Sequence, residues 1–345
     1  MNSSKLIGLY RALLSIILTF LVTSIFLIIN NTNPLLAYYY IFIGAFGNIN
    51  LIIETLVRAT PILIISLGLA ISFRCKVWNI GAEGQLYIGA MLGTITAIAL
   101  GESFFTFPIA FIMSLIGGAL WASIPAFMKS KLGINEVITT FLMNFISINF
   151  VQWLLSFPLK SPETLFPESE RIPNSAILPV LIPYTRMHLG IVIAFFLILP
   201  IIHFIMMKTT FGFKLKVVGE NPEVARYSGI DVEKILFLAL VISGALAGMA
   251  GFIEVAGIQF RMRPTISPGY GYTGIVIALL GQNNPIGISL ASIFIAAIIN
   301  GSSTMSRMLN QPQGIVDFIQ GLLIMFVLAS NYILRYVSKK ELIKL

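Results

Sequence analysis

Charge is scarce in this sequence. Only 10% of its 345 residues are charged, while 57% are hydrophobic and the mean hydropathy is +0.93. Soluble domains carry about 25% charged residues, so a soluble fold is excluded in favour of a chain that crosses a membrane several times. Cysteine is nearly absent. Cys75 stands alone, which rules out an intrachain disulfide framework and any multi-cysteine metal site. The two histidines, His188 and His203, lie far apart, which argues against a histidine-based metal centre. Asp231 and Asp317 are the only aspartates, so no Asp-rich diphosphate site exists. The phosphate-binding pattern G-x-x-x-x-G-K-[ST] is missing, and the chain cannot hydrolyse ATP in that manner. The net charge of +8 fits loops rich in Lys and Arg on the cytoplasmic side better than it fits nucleic acid.

What is present is a series of apolar runs. A spanning helix needs about 20 such residues. Candidates are 12–29, 52–72, 82–100, 107–127, 135–156, 189–207, 235–257, 268–281, 286–301 and 315–334. The run at 12–29 is too long for the apolar core of a signal peptide and is read as a retained span. Pro264, Pro268 and Pro285, with Gly269, Gly271, Gly281 and Gly287, interrupt the eighth and ninth runs. Broken or re-entrant helices are expected there, tolerated where protein or a cavity surrounds the backbone. The fold class is therefore an all-α integral membrane protein: about ten transmembrane helices, at least eight, forming one domain over 1–345.

With ten spans and a cytoplasmic N-terminus, fifteen Lys and Arg fall inside and six outside. This bias places both termini in the cytoplasm. Two connecting segments stand out. Residues 157–187 carry six prolines and should form an irregular outer cap. Residues 208–234 are the longest inner loop. Within it Gly219-Glu220-Asn221-Pro222-Glu223 reads as a helix start. Asn221 can cap, Pro222 suits the first helical position, and Glu223 complements the positive helix end. Gly229 then stops the helix after about two turns. A short surface helix of this kind is either a solvated connector or a docking element for a soluble partner.

The stretch WNIGAEGQ at 78–85 places a carboxylate and two amides at the start of a span. Intramembrane polar residues are costly and mark a pathway by default. Asn79, Glu83 and Gln85 can exchange hydrogen bonds with hydroxyls and ring nitrogens, and Trp78 and Tyr87 offer flat faces for stacking. The alternative is packing: Glu83 caps the third span, while Gly81, Gly84 and Gly89 let another backbone approach. Asn144, Asn149 and Gln152 share a broad face of the fifth span, with Asn144 the best candidate for lining. Glu254, Gln259, Asn300 and Asp317 are weaker candidates. The small-residue run 243–251 suits close helix packing.

Five stretches in order carry a resemblance: WNIGAEGQLYIGA at 78–90, NEVITTFLMNFI at 135–146, GENPEVARYSGI at 219–230, SGALAGMAGFIEVAG at 243–257 and GYGYTGIVIALLGQNNPIG at 269–287. The chain resembles the permease subunits of bacterial ABC importers, in the branch shared by branched-chain amino acid, ribose and nucleoside permeases. It is most similar there to the nucleoside type, whose partner is a basic membrane lipoprotein. Val224 and Arg226 depart from the small alanines commoner at their positions. The resemblance implies a bacterial inner-membrane subunit that forms a pathway for nucleosides with a second permease, a paralogue. It further implies two cytoplasmic ATPase subunits that use ATP and Mg, and an extracytoplasmic substrate-binding lipoprotein. Lipid would surround the chain, no nucleic acid would bind, and the chain itself would hold no cofactor, metal or catalytic residue. Pathway residues would be Trp78, Asn79, Glu83, Gln85 and Asn144. Coupling to the ATPase would use Gly219, Glu220, Asn221, Pro222, Glu223, Ala225 and Gly229. The alternatives are a permease for a sugar such as ribose or galactose, one for an amino acid, and a stand-alone secondary transporter. An intramembrane enzyme would need a Ser–His dyad, a metal cluster or an Asp-rich site, and the sequence offers none.

Overall fold

A computed structural model describes residues 17–312, 314–315, 317–322, 325–326 and 329. It is all-helical. Among the described residues no strand forms, only an isolated bridge between Val180 and His188. Six helices are long and apolar enough to cross a membrane: α3 (Ile49–Arg74), α5 (Thr106–Leu132), α6 (Glu136–Ser156), α7 (Leu189–Lys208), α10 (Val232–Gln259) and α12 (Pro285–Met308). Shorter apolar helices are α1 (Ile17–Ile29), α2 (Pro34–Phe46) and α11 (Tyr270–Leu280). Two more, α8 (Thr210–Glu220) and α9 (Pro222–Tyr227), follow α7. The remaining helix, α4 (Ala82–Leu100), opens with Glu83 and Gln85 and is almost wholly buried over its first four turns.

The chain divides into two compact units, Met1–Ala59 with Leu290–Leu345, and Thr60–Ser289. In the first, the Asn300 amide of α12 donates to the carbonyls of Gly44 (3.3 Å) and Leu51 (3.4 Å) and to Thr55 Oγ1 (3.2 Å). This fixes the α2–α3 turn from the side. The span expected at 12–29 is described from Ile17, and much of that at 315–334 falls outside the described residues. Helix α2 was not expected. Its 13 residues are too few for the roughly 20 of a crossing. It starts because Asn33 Oδ1 accepts from Leu35 N and Leu36 N, with Pro34 in the first turn.

In the second unit α4 is the central helix, packed by α5 and α10. Small residues bring the three backbones together: a Cβ at Gly248 would meet the Ser114 carbonyl and Gly118, and one at Gly89 would meet Gly248. The run 243–251 packs as its composition implies. Two helices contain π segments, Ile193–Ile198 in α7 and Val255–Gln259 in α10. Neither could be read from apolar periodicity. The eighth expected span is a short continuous helix over 270–280, begun by Gly269 at φ +91°, while the ninth, also expected to be interrupted, is the unbroken α12, because Pro285 stands in its first turn and Gly281 lies before it.

Candidate functional site

The octapeptide folds into a hydrogen-bonded knot where α4 begins. The Asn79 amide donates to Gln85 Oε1 (2.8 Å) and Ser243 Oγ (3.0 Å), and Gln85 Nε2 donates back to Asn79 Oδ1 (3.1 Å). Asn79 Oδ1 also accepts from Gly81 N (3.0 Å). From α6, Asn144 Oδ1 accepts from Gly84 N (2.8 Å), while its amide donates to the Ile80 carbonyl (2.8 Å) and meets Tyr272 Oη (3.2 Å). One buried side chain thus satisfies backbone groups on both sides of the α4 start, which has no side-chain cap of its own. Thr140 Oγ1 accepts from Ile80 N (3.1 Å). Glu136 Oε1 accepts from Trp78 N (3.3 Å), and Glu136 pairs with Lys129 at 2.7 Å.

Glu83 leaves α4 in another direction. Its Oε2 accepts from Gly271 N at 2.6 Å, in the first turn of α11. A carboxylate at the start of a half-helix complements the helix dipole. A Cβ at Gly271 would run into the Glu83 backbone, so only glycine admits this approach. Tyr87, one turn further along α4, donates to the Pro264 carbonyl (2.8 Å).

Asn79, Gln85 and Asn144 therefore tie the start of α4 to α6 and α10, while Glu83 ties it to α11, and each of the four is nearly inaccessible. Trp78 is different: the residue is 40% exposed, and its ring centroid lies 4.8 Å from that of Phe73. Tyr272 is the second partly exposed ring beside the cluster. Ser243, Thr140 and Tyr272 were missed. Ser243 was hidden in a run that reads as packing, though Tyr272 sits within the quoted GYGYTG. Of the weaker candidates, Asn149 donates to the Phe145 carbonyl of its own helix, Gln259 bonds to Glu254 at 3.3 Å, and Asn300 belongs to the other unit.

At one end of this unit lies α9. Asn221 Oδ1 accepts from Glu223 N (2.9 Å) and Val224 N (3.3 Å), Pro222 opens the helix, and Gly229 follows it at φ +75°. Ala225 is buried, whereas Val224 and Tyr227 project outward. Gly219 and Glu220 do not start this helix. They end the preceding α8, whose Leu215, Val218 and Gly219 are buried. Thr209 Oγ1 accepts from Gly212 N (3.2 Å) and launches α8, a helix the charged residues around it conceal.

At the opposite end, residues 157–187 are irregular and heavily bonded. Ser169 N, Ile172 N and Leu178 N donate to the carbonyls of Met262, Phe260 and Ala256 (2.9–3.0 Å). The last of these acceptors lies in the α10 π segment. Glu168 bridges Arg261 (2.6 Å) and Arg263 (2.9 Å). Partial burial pushes its carboxyl up, but hydrogen bonds from the two guanidinium groups outweigh this and hold it below the usual carboxylate range. The Glu102 carboxyl is likewise lowered, by the backbone N–H groups of Ser175 and Asn174.

Residues 51–328 match the family described as the permease component of branched-chain amino acid transport systems. The chain is 33% identical to the glucose ABC transporter permease protein TsgB13 of Haloferax volcanii, covering 94% of this chain and 88% of that one. It is 32% identical to the guanosine ABC transporter permease protein NupP of Bacillus subtilis, over 95% of each. It is 29% identical to the nucleoside ABC transporter permease protein NupB of Lactococcus lactis, over 96% and 94%. No solved structure matches.

Proposed function

We propose a role from one premise: this chain belongs to the permease-component family of branched-chain amino acid transport systems, and is a transport subunit of an ABC importer rather than an enzyme. We infer that its substrate is a nucleoside. The observation that carries this is similarity to guanosine and nucleoside permeases over nearly the whole chain. The Trp78 and Tyr272 rings at the edge of the cluster around Asn79, Glu83, Gln85 and Asn144 support it, because flat faces suit stacking on a base. These side chains already bond to protein groups. In this reading the amides and Glu83 shape the pathway wall, and the two rings meet the substrate.

The importer has ATPase and substrate-binding partners, as such permeases do. In the proposed assembly a paralogous permease completes the pathway, an extracytoplasmic lipoprotein delivers the nucleoside, and the ATPases use ATP and Mg. Residues 221–229 seat in the ATPase, with Gly219 and Glu220 supporting them from α8. We place ten crossings in a bacterial inner membrane, with α9 in the cytoplasm. Of the fourteen Lys and Arg between 60 and 289, nine lie at the α9 end and five at the 157–187 end, which supports that orientation.

A sugar is the second reading, favoured by the identity to the glucose permease. The test is uptake of labelled guanosine and glucose by cells lacking and then regaining this gene. Guanosine uptake should disappear and return, with glucose uptake unchanged. Loss of glucose uptake with normal guanosine uptake would replace the nucleoside by a sugar.

A further inference from the structure

Glu83, Tyr87, Met91, Thr94 and Ile98 recur at spacings of four, four, three and four, so they form one stripe along α4. The outer half of that stripe opens into a cavity of about 220 Å³. Its floor is mostly apolar: Met91, Ile95 and Ile98 of α4, Leu155 at the end of α6, and Met262, with Thr94 as the one hydroxyl, donated to the Ala90 carbonyl. Its rim comes from the cap, with Lys160, Ser169 and Glu170 as its polar members beside Pro158 and Leu159. The Ser169 hydroxyl is already committed to the Glu170 carbonyl and Met262 N. Lys160 and Glu170 are exposed and form no ion pair among the described residues, which leaves one cation and one carboxylate at the mouth. One turn inward the cavity closes, where Tyr87 is held to the Pro264 carbonyl.

We propose that this cavity is an outward-facing subsite that takes the base of the incoming nucleoside on its Met91–Met262 floor and the ribose hydroxyls at Lys160 and Glu170. The proposal rests on the nucleoside reading and deepens it. Three features select the ligand class. The floor carries two polarizable thioethers, which favour contact with an aromatic ring. A hexose would leave its hydroxyls facing Met91, Ile95, Ile98 and Leu155 without partners, which is unfavourable. The volume lies below the roughly 300–1,000 Å³ of sites that engulf a drug-sized ligand, so a ring enters while the sugar stays at the charged mouth. The α4 stripe then leads from this subsite to Glu83, with Tyr87 between the two.

The probe is 8-azidoadenosine, photoactivated on the full chain in lipid nanodiscs, with labelled peptides mapped by mass spectrometry. Label should appear within 91–98, within 155–170 or at Met262 and be displaced by guanosine, but not by glucose or leucine at equal concentration. Ile95→Trp fills the floor and should cut labelling at least tenfold. The pair Lys160→Ala and Glu170→Ala lies on the surface and carries the test should the tryptophan variant not assemble. It should weaken displacement by adenosine about fivefold and leave displacement by free adenine unchanged. Label confined to other segments, or unaltered in these variants, overturns the subsite. If cells carrying this gene still import guanosine, the nucleoside reading stands without it. Displacement by glucose or leucine in the nanodiscs, with no guanosine import by cells carrying this gene, overturns both.

Discussion

Asn144 shows how much one side chain can organise. It holds Gly84 N and the Ile80 carbonyl at once, in a place water does not reach. Asn144→Ala should strand both groups at a cost of about 1–3 kcal/mol each, seen as a clear fall in the melting temperature of the purified chain. An unchanged melting temperature would mean that other groups secure the start of α4. Glu83 poses a different question, because its carboxylate grips α11 rather than a loose end. Glu83→Gln keeps an acceptor for Gly271 N, so the complex should assemble and import slowly, with kcat lowered and KM nearly unchanged. A rise in KM alone would make Glu83 a substrate contact instead. The sequence exposed Asn79, Glu83, Gln85 and Asn144 because polar residues in apolar runs are conspicuous. Their partners were illegible: Ser243 stands 164 positions from Asn79, and Gly271 188 from Glu83. Local pattern carries no information about pairs that distant.

At the scale of elements, α9 was readable because its signals are local. Asn221, Pro222 and Gly229 each act on their own backbone. A Cβ at Gly229 would touch nothing within 4 Å, so the cost of substitution lies in φ +75° alone. Gly229→Val should abolish stimulation of the ATPase by loaded binding protein, whereas Glu223→Gln should change it little. Full stimulation in the valine variant would place coupling elsewhere. Helices α2 and α8 were concealed for the opposite reason: one is too short for a span, the other sits among charges that read as loop. The 157–187 segment was rightly expected to be irregular, but nothing local announced that Glu168 would meet Arg261 and Arg263. Because the folded Glu168 titrates below its free value, its contribution is fully present above about pH 4.3. It is lost as pH falls through the lower folded value. The protection of 160–172, measured as exchange relative to the intrinsic rate at the same pH, should therefore fall in acid, and Glu168→Gln should remove that dependence. Protection that ignores pH in the parent chain would show that backbone bonds alone hold this part of the cap.

For the whole molecule, composition and run length were enough to give an all-helical membrane protein. The number of crossings depends on how broken helices are counted. Orientation can be checked with single cysteines in a Cys75→Ser background: Leu165 and Tyr227 are 93% and 94% exposed, in the cap and in α9. An impermeant maleimide on intact cells should label a cysteine at 165 and spare one at 227. The reverse would invert the topology. Both ends of the second unit meet on one helix, since α10 starts just beyond Gly229 and finishes in the π segment whose Ala256 carbonyl receives Leu178 N. A π segment holds one residue more than the same turns of α-helix. Removing any single residue from 255–259 would restore the α pattern over the same turns and leave the direction of the chain beyond it nearly unchanged. Ala256 would return its carbonyl to the helix, and Leu178 N would lose its acceptor. The outer end of this protein therefore depends on a count as well as on identities: a one-residue deletion there should do more harm than most substitutions.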